Sequence, residues 1–124
     1  MLKVGTSRID ITPPIGMPHA NWGSSVHQVA EGIDMNMYCY IMYLESKDSK
    51  TKVAILDFDL CIIDDDIDSM VRDAVISSLD IPRENIRVST SHTHAGPPYG
   101  RDDSTGGGWI TEGVELINPY YDSF

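Results

Sequence analysis

An α/β fold, a mixed β-sheet carrying one right-handed strand-helix-strand crossover, is what this sequence predicts. Three observations lead there. Several segments alternate apolar and polar residues as strands do, one stretch near residue 70 repeats its apolar residues at helical spacing, and that stretch lies between two strands. A helix that joins two strands of one sheet makes them parallel and turns the crossover right-handed.

The elements follow in order. KVGTSRIDITP sets Val4, Thr6, Arg8 and Asp10 against Gly5, Ser7, Ile9 and Ile11, then meets Pro13-Pro14, and so reads as a strand. Residues Ile15 to Asp34 have no sustained period and read as a loop of about twenty residues, a length that is usually functional or mobile in a compact domain. Met35 to Glu45 is apolar and aromatic throughout, which predicts a buried central strand with Tyr38, Tyr40 and Tyr43 in the core. The polar S-K-D-S-K-T that follows makes a hairpin connection, and Lys52 to Leu60 forms the next strand. Val53, Ile55, Asp57 and Asp59 share one of its faces, and Ala54, Leu56, Phe58 and Leu60 the other. From Asp65 to Leu79 the residues Ile67, Met70, Val71, Ala74, Val75 and Leu79 fall on one helical face. Asp64, Asp65, Asp66 and Asp68 crowd its start, where capping and opposition to the helix dipole explain them better than metal ligation. Pro82 is expected to stop the helix, and Asn85 to Ser91 supplies the parallel strand.

Size and charge narrow the function. A chain of 124 residues makes one domain, 1–124, and its 41% hydrophobic and 23% charged residues are ordinary for a globular protein. The net charge of −10 and the absence of a basic cluster argue against nucleic acid or an anionic membrane as partner. No apolar run approaches the ~20 residues of a membrane span. MLKVGTSRIDITPP has no signal-peptide core, so a cytoplasmic location is expected unless a leader has been removed. Cys39 and Cys61, without C-x-x-C spacing, read as a buried reduced pair.

Chemistry concentrates in VSTSHTHAGPPYG, residues 88 to 100, where a β-branched run delivers His92 and His94 into a Gly-Pro-Pro turn. On an extended backbone two such histidines share a face about 6.8 Å apart, close enough to converge on one cation or to divide ligation and catalysis between them. The parallel crossover would set Asp57 and Asp59 at the neighbouring strand end, on the edge where open α/β sheets place ligands. Asp59 is then a candidate to orient a histidine ring from behind. A polar turn that merely contains two histidines is the competing reading.

The wording of the sequence goes further. VGTSRIDITPPIGM, AEGI (Ala30 to Ile33), VAILDFDL and SHTHAGPPYG resemble, in order and at fitting separations, four segments of the neutral (non-lysosomal) ceramidase family, over about the first hundred residues. That resemblance implies the N-terminal portion of a larger catalytic domain. It implies a zinc-dependent hydrolase in which Zn2+ activates water to cleave a linear N-acyl amide. It carries the role of zinc ligand onto His92, and that of the catalytic group beside the metal onto His94. Its substrate would be a small or lipid-like N-acyl amide. The family's remaining ligands, a histidine, a glutamate and a tyrosine, lie downstream in parts with no counterpart here. Glu112, Glu115, Tyr120 and Tyr121 match no family motif, and Ala95 and Pro98-Tyr99 depart from the signature. The chain accordingly reads as a fragment, inactive alone and prone to self-association through uncovered sheet.

Two other readings compete. An amidohydrolase-type barrel would use H-x-H at a strand end but needs repeated strand-helix units, and one is visible. A non-catalytic scaffold would bind no zinc. A metallo-β-lactamase pattern is excluded by His94-Ala95-Gly96-Pro97, and a P-loop by the lack of Lys-Ser/Thr after the glycines of DDSTGGGWITEG. His19 and His27 on the first loop are secondary candidates for the site mouth, with Trp22 and Trp109 as loop or lid residues.

Overall fold

Alternation along the strands decides which side of the sheet is dry. The structure, a computed structural model, describes residues 1–19, 26–101 and 110–124; Trp22, Trp109 and the glycine-rich stretch before Trp109 lie outside the described residues. Its elements are β1 (Leu2–Asp10), β2 (Tyr38–Ser46), β3 (Lys52–Phe58), α1 (Asp65–Leu79), β4 (Ile86–Thr90) and α2 (Ile117–Tyr121). They build one mixed sheet in the order β1-β2-β3-β4, antiparallel for the first two pairs and parallel for β3 with β4. The predicted α/β class and its parallel crossover through α1 are present.

Ala54, Leu56 and Phe58 of β3 are buried in one cluster with Cys39 of β2, Ile86 of β4 and Ile67 and Val71 of α1. Pairing of Cys39 with Phe58 and of Ile86 with Ala54 places these strand residues on the same face. The opposite face is open. Leu2 and Val4 are each 59% exposed there, and Tyr40 and Met42 45% and 41%. The expectation of a strand buried throughout is therefore corrected for β2: apolar sequence on both faces requires cover on both, and α1 covers one. β1 is an edge strand with all nine residues exposed.

Capping sets the bounds of α1. Asp64 is its N-cap and accepts a 2.8 Å bond from the Ile67 N–H. At the other end Asp80, at φ 50°, closes the helix two residues before Pro82, and its N–H returns to the Ile76 carbonyl. No basic residue occupies the last turn, and Lys52 from β3 fills that role, donating from Nζ to the carbonyls of Leu79 (3.0 Å) and Asp80 (3.1 Å).

The long first loop is less free than its composition implies. Its two limbs zip together through Gly16 N–H to Ala30 O, Ala30 N–H to Met17 O and His19 N–H to Gln28 O. The side-chain oxygen of Gln28 then accepts from the backbone N–H groups of Thr111 (2.6 Å) and Glu112 (3.1 Å), tying this ribbon to the C-terminal segment. Gly113 lies so near that a Cβ there would fall 2.1 Å from the Gly16 carbonyl oxygen. Beyond it, Tyr120 and Tyr121 are core residues. Their hydroxyls donate to the carbonyls of Ile11 (2.7 Å) and Pro98, and burial pushes the Tyr120 phenol up. Phe124 stacks on Phe58 at 5.9 Å.

Two predictions follow from these contacts. A Cβ at Gly100 would lie 1.7 Å from Asp64 Oδ2, so Gly100→Ala must evict the capping carboxylate. Urea denaturation should show a loss of about 1–2 kcal/mol, much of it absent when the same change is made in an Asp64→Ala background. The Asp10 carboxyl is held below its ordinary value by the Thr12 hydroxyl, the Thr12 N–H and Asn36. A depressed folded value contributes stability above the unfolded pKa, near pH 4, and loses it as pH falls through the folded value. The stability difference between the native chain and Asp10→Asn should therefore shrink on acidification; a constant difference across that range would contradict it.

Candidate metal centre

Two neighbouring strand ends assemble the site. The parallel ladder finishes where Phe58 pairs with Thr90, and one further bond runs from the Ser91 N–H to the Phe58 carbonyl (2.9 Å). Beyond Phe58, Asp59 is engaged with β2: its N–H donates to the Tyr38 carbonyl, and its Oδ2 accepts from the Tyr38 N–H, both at 2.9 Å. The chain leaves the sheet after Ser91, and His92 does so at φ 59°, a left-handed conformation uncommon for residues other than glycine.

This corrects the geometry expected of an extended H-x-H. His92 and His94 do not project from a continuing strand. Their rings meet instead across a turn, edge to face, with centroids 5.1 Å apart and planes at 87°. Both side chains are exposed, whereas Cys61, two residues beyond Asp59, is 2% exposed.

Cys61 is the residue that sequence reasoning missed. Its carbonyl lies 2.9 Å from His92 Nδ1 and its sulfur 3.7 Å from the same nitrogen. A carbonyl oxygen can only accept, so Nδ1 carries the hydrogen and Nε2 presents the ring's lone pair. Thr90 Oγ1 donates to the same carbonyl at 3.1 Å. One ligand atom from each of Cys61, His92 and His94 lies within 4.8 Å of the others. The available signal was positional: Cys61 follows the end of one parallel strand as His92 follows the end of its neighbour, so their proximity is implied by the pairing.

The remaining candidates distribute around this cluster. Asp59, His19, Thr93 and Ala95 line a cleft of about 510 Å3, with Ile33, Met35 and Met37 among its apolar lining. His19 Nε2 contacts the Val29 carbonyl at 2.9 Å, which fixes the loop limb that forms one wall. His27 is exposed, 3.9 Å from Glu31. Of the acidic run, Asp64 caps α1, while Asp65 and Asp68 border a smaller recess of about 350 Å3 that Cys61 and His92 also line. The hydroxyls of Tyr120 and Tyr121 are turned into the core, as described above.

Comparison with known proteins shows the fold. No family model and no curated protein matches the chain by sequence. Among solved structures it is similar to a ceramidase complexed with C2 (TM-score 0.65, 20% identity) and to the neutral ceramidase from Pseudomonas aeruginosa (TM-score 0.67, 21% identity). Each alignment covers 98% of this chain and 21% of the other, so the chain spans about a fifth of the length of these neighbours. Among the described residues no helix is long and apolar enough to cross a membrane.

The tautomer is directly measurable. In the metal-free protein with its imidazole neutral, long-range 15N–1H correlation spectra should show His92 with its hydrogen on Nδ1. A hydrogen on Nε2 would mean that the contact with the Cys61 carbonyl does not form in solution.

Proposed function

We propose that the chain is the N-terminal part of a ceramidase-like, metal-dependent hydrolase that cleaves linear N-acyl amides. The observation that carries this reading is the donor cluster at the carboxyl edge of the parallel strand pair, on a fold shared with two ceramidases. Imidazole and thiol are borderline-to-soft donors, and one ligand atom from each of Cys61, His92 and His94 lies within 4.8 Å of the others, so an ion held at His92 has His94 beside it. They suit zinc better than magnesium or calcium. Zinc held here would supply Lewis acidity toward an amide carbonyl and lower the pKa of water to about 7.

The chain's own residues divide the remaining work. His92 serves as ligand, with its ring fixed by the Cys61 carbonyl. His94, exposed and edge-on to His92, is placed to donate to the charge that develops on the carbonyl oxygen or to pass a proton to the leaving amine. Ile33, Met35 and Met37 give the adjoining cleft an apolar wall for an alkyl or acyl chain, and Asp59 brings a carboxylate to the same cleft, near Thr93. A lipid-like N-acyl amide combines the two features that such a cleft and cluster would recognise.

The test uses the protein in its longest natural reading frame, loaded with zinc and offered a fluorogenic N-acyl amide. Hydrolysis should disappear with a chelator and return with zinc. His92→Ala should lose both metal and activity, whereas His94→Ala should keep the metal and lose about 10²–10⁴-fold in kcat. A zinc-loaded protein that cleaves no N-acyl amide would sink the reading.

A further inference from the structure

We propose that Met37, seated against Gly96, sets the length of apolar chain that the cleft accepts. The inference rests on the hydrolase reading above and deepens it by assigning substrate selection to one side chain. Depth singles that side chain out. Ile33 and Met35 are 50% and 78% exposed, whereas Met37 is 9% exposed and also belongs to the hydrophobic core. Among the described residues that line the cleft, Met37 alone is buried, so it forms the floor while Ile33 and Met35 form the rim.

The backbone of Met37 is held at both polar groups. Its N–H donates to Thr12 Oγ1 and its carbonyl accepts from the Ile11 N–H, each at 2.9 Å. The side chain is the adjustable part, an unbranched thioether with three rotatable bonds. Gly96 bounds it on one side. A Cβ at Gly96 would fall 2.7 Å from Met37 Cε and 3.6 Å from Sδ, so the methionine methyl would have to move. The backbone of Gly96 lies outside the left-handed region, and the missing side chain there answers to packing rather than to conformation. Gly96 is buried and the cleft lies on the other side of Met37, so a group added at position 96 drives the methyl into the cleft.

The turn that carries Gly96 also carries His92 and His94, so the floor and the donor cluster are built on one loop. The span between them then measures a chain outward from the amide. Each methylene that reaches an apolar wall improves binding about fourfold, and one without room gains nothing. The limit is the length at which the gain stops.

The test measures kcat/KM of the zinc-loaded protein, in its longest natural reading frame, for two series of amides. One series is lengthened by single methylenes in the acyl half and the other in the amine half; the series with a limit identifies the half that occupies the cleft. There kcat/KM should rise about fourfold per methylene and then level off. Gly96→Ala should lower the limit by about one or two carbons, and Met37→Ala should raise it by about three, the heavy atoms it removes. In the double variant the effect of Gly96→Ala should vanish, because the methyl it displaces is gone. Lost stability would lower every substrate alike and would not move the limit in opposite directions. If Met37→Ala fails to fold, Gly96→Ala carries the test by itself. Hydrolysis with one unchanged limit in the native protein and the variants would overturn the role of Met37 and leave the hydrolase reading standing. Calorimetric binding of straight-chain alkanamides to the metal-free protein should show the same limits without turnover. Limits that shift in a protein cleaving no amide would sink the hydrolase reading alone, and unchanged limits there would sink both.

Discussion

The parallel pairing of β3 with β4 is the constraint on which the rest depends. Two parallel strands cannot be joined by a tight turn, so the chain between them must travel back along the sheet, and α1 is that return path. Covering the strands with α1 makes one face of the sheet dry. Running the strands in the same direction brings their carboxyl ends together, which puts Cys61 beside His92 although 31 residues separate them. An antiparallel pair would have placed those residues at opposite ends of the sheet.

Much of this was legible in the sequence where the signal is local. The helix is Asp65–Leu79 as its spacing predicted, because its apolar stripe and the Asp64 cap are both encoded within four residues of where they act. The alternation in β3 correctly separated Ala54, Leu56 and Phe58 from Val53, Ile55 and Asp57. Burial of β2 was misjudged because an apolar residue records a preference and not its fulfilment. Whether Tyr40 and Met42 are covered depends on which elements are available to lie over them. The end at Leu79 was predicted, but its means differ from the expected stop at Pro82: a left-handed cap at Asp80 assisted by Lys52 ends the helix first. The ribbon between Gly16–His19 and Gln28–Ala30, and the core role of Tyr120 and Tyr121, rest on contacts between distant segments and leave no periodic trace.

The candidate site shows the same division. The H-x-H motif identified the place, but its expected geometry assumed a continuing strand. The parallel ladder ends at Phe58 and Thr90, and His92 turns away at a left-handed φ while the Asp59 N–H and carboxylate are bonded to Tyr38. The histidines still come together, through a turn, and the turn brings in a third donor that an extended chain would have left behind. A motif therefore located the candidate cluster, whereas strand termination decided which atoms gather in it. The resemblance to ceramidases and the similarity to their solved structures agree on the scaffold.

The open face of the sheet has a consequence for how copies of the chain behave toward one another. Leu2, Val4, Tyr40 and Met42 present an apolar surface beside an edge strand with free backbone groups. What holds copies apart is mutual repulsion from a net charge of −10, a force that reaches only about 8 Å at physiological ionic strength and less as salt is added. Colloidal behaviour would then be set by the buffer: dilute salt would keep the faces at a distance, and concentrated salt would let them find each other without any change in the fold.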